Sequence, residues 1–282
     1  MLLYIAAGTL PKTCILEKMG PQLQGVIADF AFWLGRVSND PALRTREKID
    51  ELPPSVQRAY SSEDLCDKVF PAAAMARIDP DSDSDFLASR AILAVRNADL
   101  SSLNAKLIQR LPGELKTLYS AESTDADDVN GYEAFPREFL QEIDLPDFPP
   151  STLEVKVGAP VMLLRDINPS AGFCNGTRLV IKKLPGRFVM LVEILSGNFK
   201  GNDCLLPRIP FHSQQGKLPF TLTRHQFPIR LCFAMDINKS PGQSLDTVGV
   251  DLYSALSHGQ LLSQVTDVQR LVVQVPENSK PN

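Results

Sequence analysis

Ala91-Ile-Leu-Ala-Val95 is a five-residue apolar run with a helical pattern directly after it. Leu100, Leu103, Leu107, Ile108 and Leu111 recur at three- and four-residue spacing, and Pro112-Gly113 ends the pattern. A short continuous apolar run suits a strand buried on both faces of a parallel sheet. Strand followed by helix is half of a βαβ unit, which predicts an α/β fold. Two further runs, Val248 to Leu252 and Leu271 to Val275, have the same buried-strand texture, as does Ile229 to Ile237.

Between these flanks the texture changes. From about residue 152, Val161–Leu164, Leu179–Ile181, Val189–Leu195 and Leu205–Leu206 are short β-type runs. Turn signals separate them, among them Asn175-Gly176, Pro185-Gly186 and Gly197-Asn198. That pattern predicts a small barrel or meander. An insertion into an α/β domain explains the order, with the flanks sharing one sheet. Nearer the start, residues 22–37 carry a helical apolar stripe from Leu23 to Val37. Residues 40–60 and 120–134 look like loops, and Ser61 with Asp64 predicts a helix start with Leu65, Val69 and Phe70 on its apolar face.

The 282 residues are 44% hydrophobic and 22% charged, which excludes a wholly disordered chain, a collagen and a coiled coil. No apolar run reaches 18 residues, so no membrane helix is expected. Met1 to Leu10 is apolar but lacks a basic start and a cleavage signature, so it is expected to be a strand or a truncation scar. Five scattered cysteines without a C-x-x-C argue against a disulfide framework or zinc site and for a reducing compartment. The acidic loop Asp79 to Asp85 lacks the Gly and distal Glu of an EF-hand loop, and no metal site is expected. The net charge of −4 divides unevenly: residues 1–150 carry 15 Lys+Arg against 24 Asp+Glu, and residues 151–282 carry 14 against 9. A basic second half can gather into a phosphate-binding groove; an ordinary solvated surface is the alternative. No phosphate loop, dinucleotide fingerprint, zincin motif or nucleophile elbow occurs.

Three stretches carry a resemblance. They are Leu153-Glu-Val-Lys-Val-Gly-Ala-Pro-Val-Met-Leu-Leu-Arg165, Cys174-Asn-Gly-Thr-Arg-Leu179 and Phe227-Pro-Ile-Arg-Leu-Cys-Phe-Ala-Met-Asp-Ile-Asn-Lys-Ser-Pro-Gly-Gln-Ser-Leu245. Together they resemble the C-terminal half of PIF-like DNA helicases, including those of Helitron transposons. Leu206-Pro-Arg-Ile-Pro210 and Ser257-His-Gly-Gln-Leu261 resemble the Helitron branch. The resemblance implies the second RecA-like domain of a two-domain motor, with an inserted small barrel of the Src-homology-three kind. On that basis residues 1–60 are expected to be a helical remnant of the inter-domain junction. Residues 61–134 and 226–282 are expected to form the RecA-like domain, and 135–225 the barrel.

The resemblance also implies ATP with Mg2+ and single-stranded DNA as ligands, 5′-to-3′ unwinding, and a role in DNA repair or recombination. A first motor domain from a longer isoform is the implied partner, and no membrane is. It implies a nuclear location, or a mitochondrial one. Asn238, Lys239, Ser240, Gly242, Gln243 and Ser244 fall where the family contacts nucleotide and DNA backbone. Their chemistry suits phosphate: a Lys, hydroxyls, and a Gly for close backbone approach. A strand-to-helix turn capped by Ser and Pro is the alternative. Asn97, at a strand end, is either a DNA-backbone contact or a helix cap. Arg165, Arg178, Lys182, Lys183 and Arg230 are the candidates for DNA phosphates, strand alternation being expected to bring several to the wet face of the barrel.

Three departures weaken the family chemistry. Pro241 stands where the family has Gln, Asp236 where it has Thr, and Gln264 where it has the arginine finger. A neutral amide cannot replace a guanidinium at a transferring phosphoryl group. With no phosphate loop or magnesium carboxylates either, this chain is expected to be inactive alone. A non-catalytic DNA-binding remnant of a transposon helicase, and a protein-interaction module, are the rival expectations.

Overall fold

The computed structural model describes residues 56–94, 96–125, 135–145, 148–213, 218–236, 245–251 and 270–275. The helix expected at 22–37 lies outside them. The chain divides into two compact units. Among described residues the first comprises 56–76, 86–110 and 233–275, and the second 77–85 and 111–232. The borders therefore fall at 110/111 and 232/233 rather than at 134/135 and 225/226.

The first unit is built on a five-stranded sheet. Its strands are β1 (Gln57–Ala59), β2 (Arg90–Ala94), β13 (Ala234–Asp236), β14 (Thr247–Asp251) and β15 (Leu271–Gln274), in the order β1-β15-β14-β2-β13. Every pairing is parallel. The sheet thus joins strands from both flanks of the chain, as the apolar runs predict. β1 lies in a segment that reads as loop, since three residues give no pattern. Helices α1 (Ser62–Val69) and α4 (Asn97–Arg110) pack against this sheet and touch each other. The Ser61 hydroxyl accepts the Asp64 N–H at 3.1 Å, so α1 starts at the expected cap. Leu65 and Val69 of α1, and Leu103, Leu107 and Ile108 of α4, are buried beneath them. Phe70 meets Phe233 edge-on at 5.6 Å. Gly249 of β14 explains how closely α1 approaches: a Cβ there would lie 2.7 Å from Val69 Cγ2 and 3.1 Å from Leu65 Cδ1.

Short helices α2 (Ala72–Met75) and α3 (Ser84–Ala88) lead into β2. The second unit holds β3 (Lys116–Tyr119), β4 (Ala121–Thr124), α5 (Arg137–Glu142), β5 (Thr152–Val155), β6 (Pro160–Leu163), β7 (Arg178–Lys183), β8 (Val189–Ile194), β9 (Asp203–Pro207), β10 (Ile209–His212), β11 (Leu222–Gln226) and β12 (Ile229–Leu231). Its main sheet is an antiparallel meander in the order β12-β6-β7-β8-β9, and no pairing joins β9 to β12 among the described residues. A three-stranded sheet, β10-β11-β4, and a two-stranded one, β3-β5, complete it. Ala121–Thr124, expected as loop, is thus a strand; its side chains are polar, and pairing with β11 supplies what its own sequence lacks. The apolar run Ile229–Ile237 is not one strand either. It splits into β12 and β13, which belong to different sheets, so periodicity within the run could not reveal the break.

A cross-strand pair anchors the smaller sheet. Arg224 of β11 lies directly opposite Glu122 of β4, with Nε donating to Oε1 at 2.9 Å and both side chains almost fully buried. Its Nη atoms also donate to the carbonyls of Pro149, Leu140 and Ile143. Buried charge persists only when such partners satisfy it. Leu140, Phe148, Phe211, Phe220 and Leu222 form the apolar cluster of this part.

Candidate nucleic-acid interface

In open parallel sheets, ligands approach the carboxyl ends of the strands, where helix N-termini and loops converge. Register decides which residues meet there. Asp236, last in β13, pairs with Ala94, last in β2. Beyond Ala94 the chain reaches exposed Arg96 and Asn97, the latter the first residue of α4. Asn97 is therefore inside the helix rather than its cap, since the Leu100 N–H donates to the Arg96 carbonyl at 3.1 Å. In sequence, Asn238, Lys239, Ser240, Gly242, Gln243 and Ser244 follow the end of β13. Those six residues, Pro241 and Gln264 lie outside the described residues. Arg270 immediately precedes β15, at the opposite, amino edge of the sheet, where its guanidinium is 4.0 Å from Asp246.

One positioning residue escaped the sequence reading. Asn104 sits on the apolar face of α4 and is buried. Its Nδ2 donates to the Ala234 carbonyl and its Oδ1 accepts the Ala234 N–H, both at 2.9 Å. β13 is an edge strand, and this amide supplies the missing neighbour on its open side. A polar residue interrupting an otherwise apolar stripe was the available signal.

The five basic candidates of the second unit separate. Arg178 is fully buried: β7 is an interior strand, and residues 178–181 are covered on both faces, so alternation fails there. Its guanidinium hydrogen-bonds Cys232, whose thiol burial pushes up in pKa and Arg178 pulls back down. Lys182 is also spent internally. Its Nζ donates to the Pro80 carbonyl at 2.8 Å and pairs with Glu193 at 3.0 Å and Asp81 at 3.1 Å. Burial opposes its charge, but Glu193 and Asp81 outweigh burial and raise its pKa. These two are corrections to the expected wet face. Lys183 and Arg165 are exposed; Arg165 donates to the Pro210 carbonyl and stacks 4.4 Å from the Phe211 ring. Arg230 is half-buried, donating to the Phe148 carbonyl at 3.0 Å, with Asp144 at 4.0 Å. Gly176 of the expected Asn175-Gly176 turn has φ +86° and lies within a bend closed by the Thr177 N–H on the Cys174 carbonyl, a structural role.

Residues 138–184 match the family model of the DNA helicase Pif1 2B domain. The chain is 28% identical over 186 residues to the ATP-dependent DNA helicase PIF1 of Homo sapiens, and 30% identical over 186 residues to that of Rattus norvegicus. These matches are a likeness to PIF1 helicases. Each alignment covers 64% of this chain and 26% of the relative, so the chain spans about a quarter of the curated helicases it matches. The crystal structure of Pif1 helicase from Candida albicans superposes with a TM-score of 0.58 at 18% identity, over 90% of this chain and 54% of that one. Bacteroides Pif1 bound to ssDNA gives 0.50 at 17%, over 90% and 51%. The PIF1-like likeness is to the C-terminal half, and the fold is RecA-like α/β.

Proposed function

We propose that this chain is the DNA-gripping C-terminal half of an ATP-dependent, 5′-to-3′ DNA helicase, derived from a Helitron-type transposon and acting in the nucleus or, alternatively, in mitochondria, with DNA repair or recombination as its setting. The observation that carries this is the register at the carboxyl edge of the parallel sheet. Neighbouring strands β2 and β13 end in register, Ala94 opposite Asp236, and Asn97 follows the one in sequence as residues 238–244 follow the other. Asn97, Lys239 and the hydroxyls of Ser240 and Ser244 then contact the phosphate backbone of single-stranded DNA, and Arg165, Lys183 and Arg230 add contacts from the second unit. The basic balance of residues 151–282 supports the same assignment. The solved relative bound to ssDNA supports the ligand class.

Asp236 places a carboxylate at the edge an anion must approach, which weighs against nucleotide phosphates there. In this proposal the nucleotide is held chiefly by a first motor domain, and these 282 residues alone hydrolyse no ATP. Metal-dependent, DNA-stimulated turnover by the purified chain refutes that. A second reading, a non-catalytic DNA-binding remnant, is favoured specifically by Gln264 at the expected arginine-finger position.

The test of DNA binding is fluorescence anisotropy of labelled oligo-dT across a salt series. A linear fall of log affinity with log salt, tolerant of sequence, is expected. No binding at low salt by folded chain refutes the proposal, and binding to a protein partner that ignores salt points to an interaction module instead.

A further inference from the structure

Tyr119 (62% exposed) and Phe188 (70%), two of the most exposed aromatic residues of the second unit, both hydrogen-bond through their main-chain carbonyls to one residue. Arg208 joins them. Its main-chain N–H donates to the Phe188 carbonyl at 3.3 Å, and its guanidinium donates to the Tyr119 carbonyl and, through Nε, to the Arg187 carbonyl at 2.7 Å. The guanidinium also lies 5.0 Å from the centroid of the buried Phe227 ring. It is thus held from three sides while its Nη2 hydrogens carry no protein bond among the described residues. Partial burial lowers the Arg208 pKa, and the charge of Arg187 beside it lowers it further; no carboxylate offsets the two among the described residues. An arginine remains charged regardless. Two like charges held together with no acid between them cost energy that an anion would recover.

We propose that Tyr119, Arg187, Phe188 and Arg208 form a contact for single-stranded nucleic acid, separate from the sheet edge of the first unit. Phosphates lie on the two guanidiniums, and bases stack on the two aromatic rings. Exposed rings offer faces to any base, and a fixed guanidinium places the backbone, so recognition is tolerant of sequence. The charge of the patch selects an acidic partner, and the rings select one with flat faces. This inference rests on the reading of the chain as a DNA-binding unit and adds a site to it.

The experiment measures oligo-dT binding by the full chain and by Phe188→Ala, Phe188→Tyr, Arg187→Ala and Lys239→Ala. Circular dichroism checks folding, which a largely exposed Phe188 does not control. Phe188→Ala is expected to weaken binding on the order of tenfold. Phe188→Tyr keeps the parent affinity, since the ring remains. Arg187→Ala lowers the salt slope by about 0.7, the value of one phosphate contact on a single strand. If Lys239→Ala weakens binding while Phe188→Ala and Arg187→Ala do not, this site is refuted and the DNA reading of the chain stands. If the folded parent chain binds no oligonucleotide at low salt, both fall. If Phe188→Ala reduces binding of a polyglutamate peptide but not of oligo-dT, the patch serves a protein, and the proposal is overturned.

Discussion

Removing the Asn104 amide tests whether one side chain holds the strand that launches the candidate DNA segment. Asn104 makes two 2.9 Å hydrogen bonds to the main chain of Ala234 on the open side of β13. In Asn104→Ala, both bonds are lost, but water can enter the space. At about 1 kcal/mol net per bond, the cost is about 2 kcal/mol. In Asn104→Leu, an apolar side chain of similar size excludes water as well. Two buried main-chain groups then go unsatisfied at about 1–3 kcal/mol each, so the loss rises to about 4 kcal/mol. The order of damage, Leu worse than Ala, is the diagnostic feature, because simple loss of packing predicts the reverse. Urea unfolding of the full chain measures the stability change. Amide hydrogen exchange at Ala234 measures the local effect, and 2 kcal/mol corresponds to about 30-fold faster exchange. Asn104→Asp adds a pH signature. A neutral carboxyl can still donate to the Ala234 carbonyl, whereas an ionised one repels it, so this variant is expected to be less stable at pH 7 than at pH 4. Asn104→Leu as stable as Asn104→Ala, with unchanged exchange at Ala234, refutes the reasoning.

Three further outcomes follow from the packing. Arg224→Met strands the buried Glu122 carboxylate and three carbonyls, and is expected to cost about 3–5 kcal/mol by urea unfolding; adding Glu122→Leu recovers part, not all, because the carbonyls stay unpaired. Gly249→Ala drives a methyl to within 2.7 Å of Val69 Cγ2 and is expected to cost about 1–3 kcal/mol, which Val69→Ala partly restores; an unchanged midpoint counts against the close approach of α1. Burial pushes the Cys66 thiol up to about 11, from a model-peptide value of 9.0. The folded state therefore favours the neutral thiol. Its contribution to stability is complete below pH 9 and lost as pH rises to about 11, and iodoacetamide at pH 8 is expected to label Cys66 only after unfolding.

The two units divide the functional problem. The parallel sheet of the first unit brings together chain segments more than a hundred residues apart, so its carboxyl edge depends on β13 pairing with β2 in one register. The charged side chains of the second unit have two fates. Arg178, Lys182 and Arg224 are consumed in holding the unit together, and Arg187, Arg208 and Lys183 are left toward solvent or the surface. Charge counting cannot separate these groups, because both contribute equally to the formal excess of the second half.

The sequence by itself determined the class of fold. The short runs at 91–95, 248–252 and 271–275, broken only by Gly249, Asp251 and Gln274, have the length and apolar content of buried parallel strands, and they underlie β2, β14 and β15. The turn-punctuated runs from 161 to 206 likewise became β6 to β9, because their local turn chemistry and apolar content agree. Tertiary structure alone decided the rest. The polar strand Ala121–Thr124 exists only because β11 lies beside it. The split of Ile229–Ile237 depends on which sheet accepts each half. The fate of each basic residue was equally invisible, since burial of Arg178 follows from the interior position of β7 and not from its own period. Local propensity acts over a few residues, whereas a strand's neighbour or an arginine's counter-charge comes from a hundred residues away; only folding sets that distance.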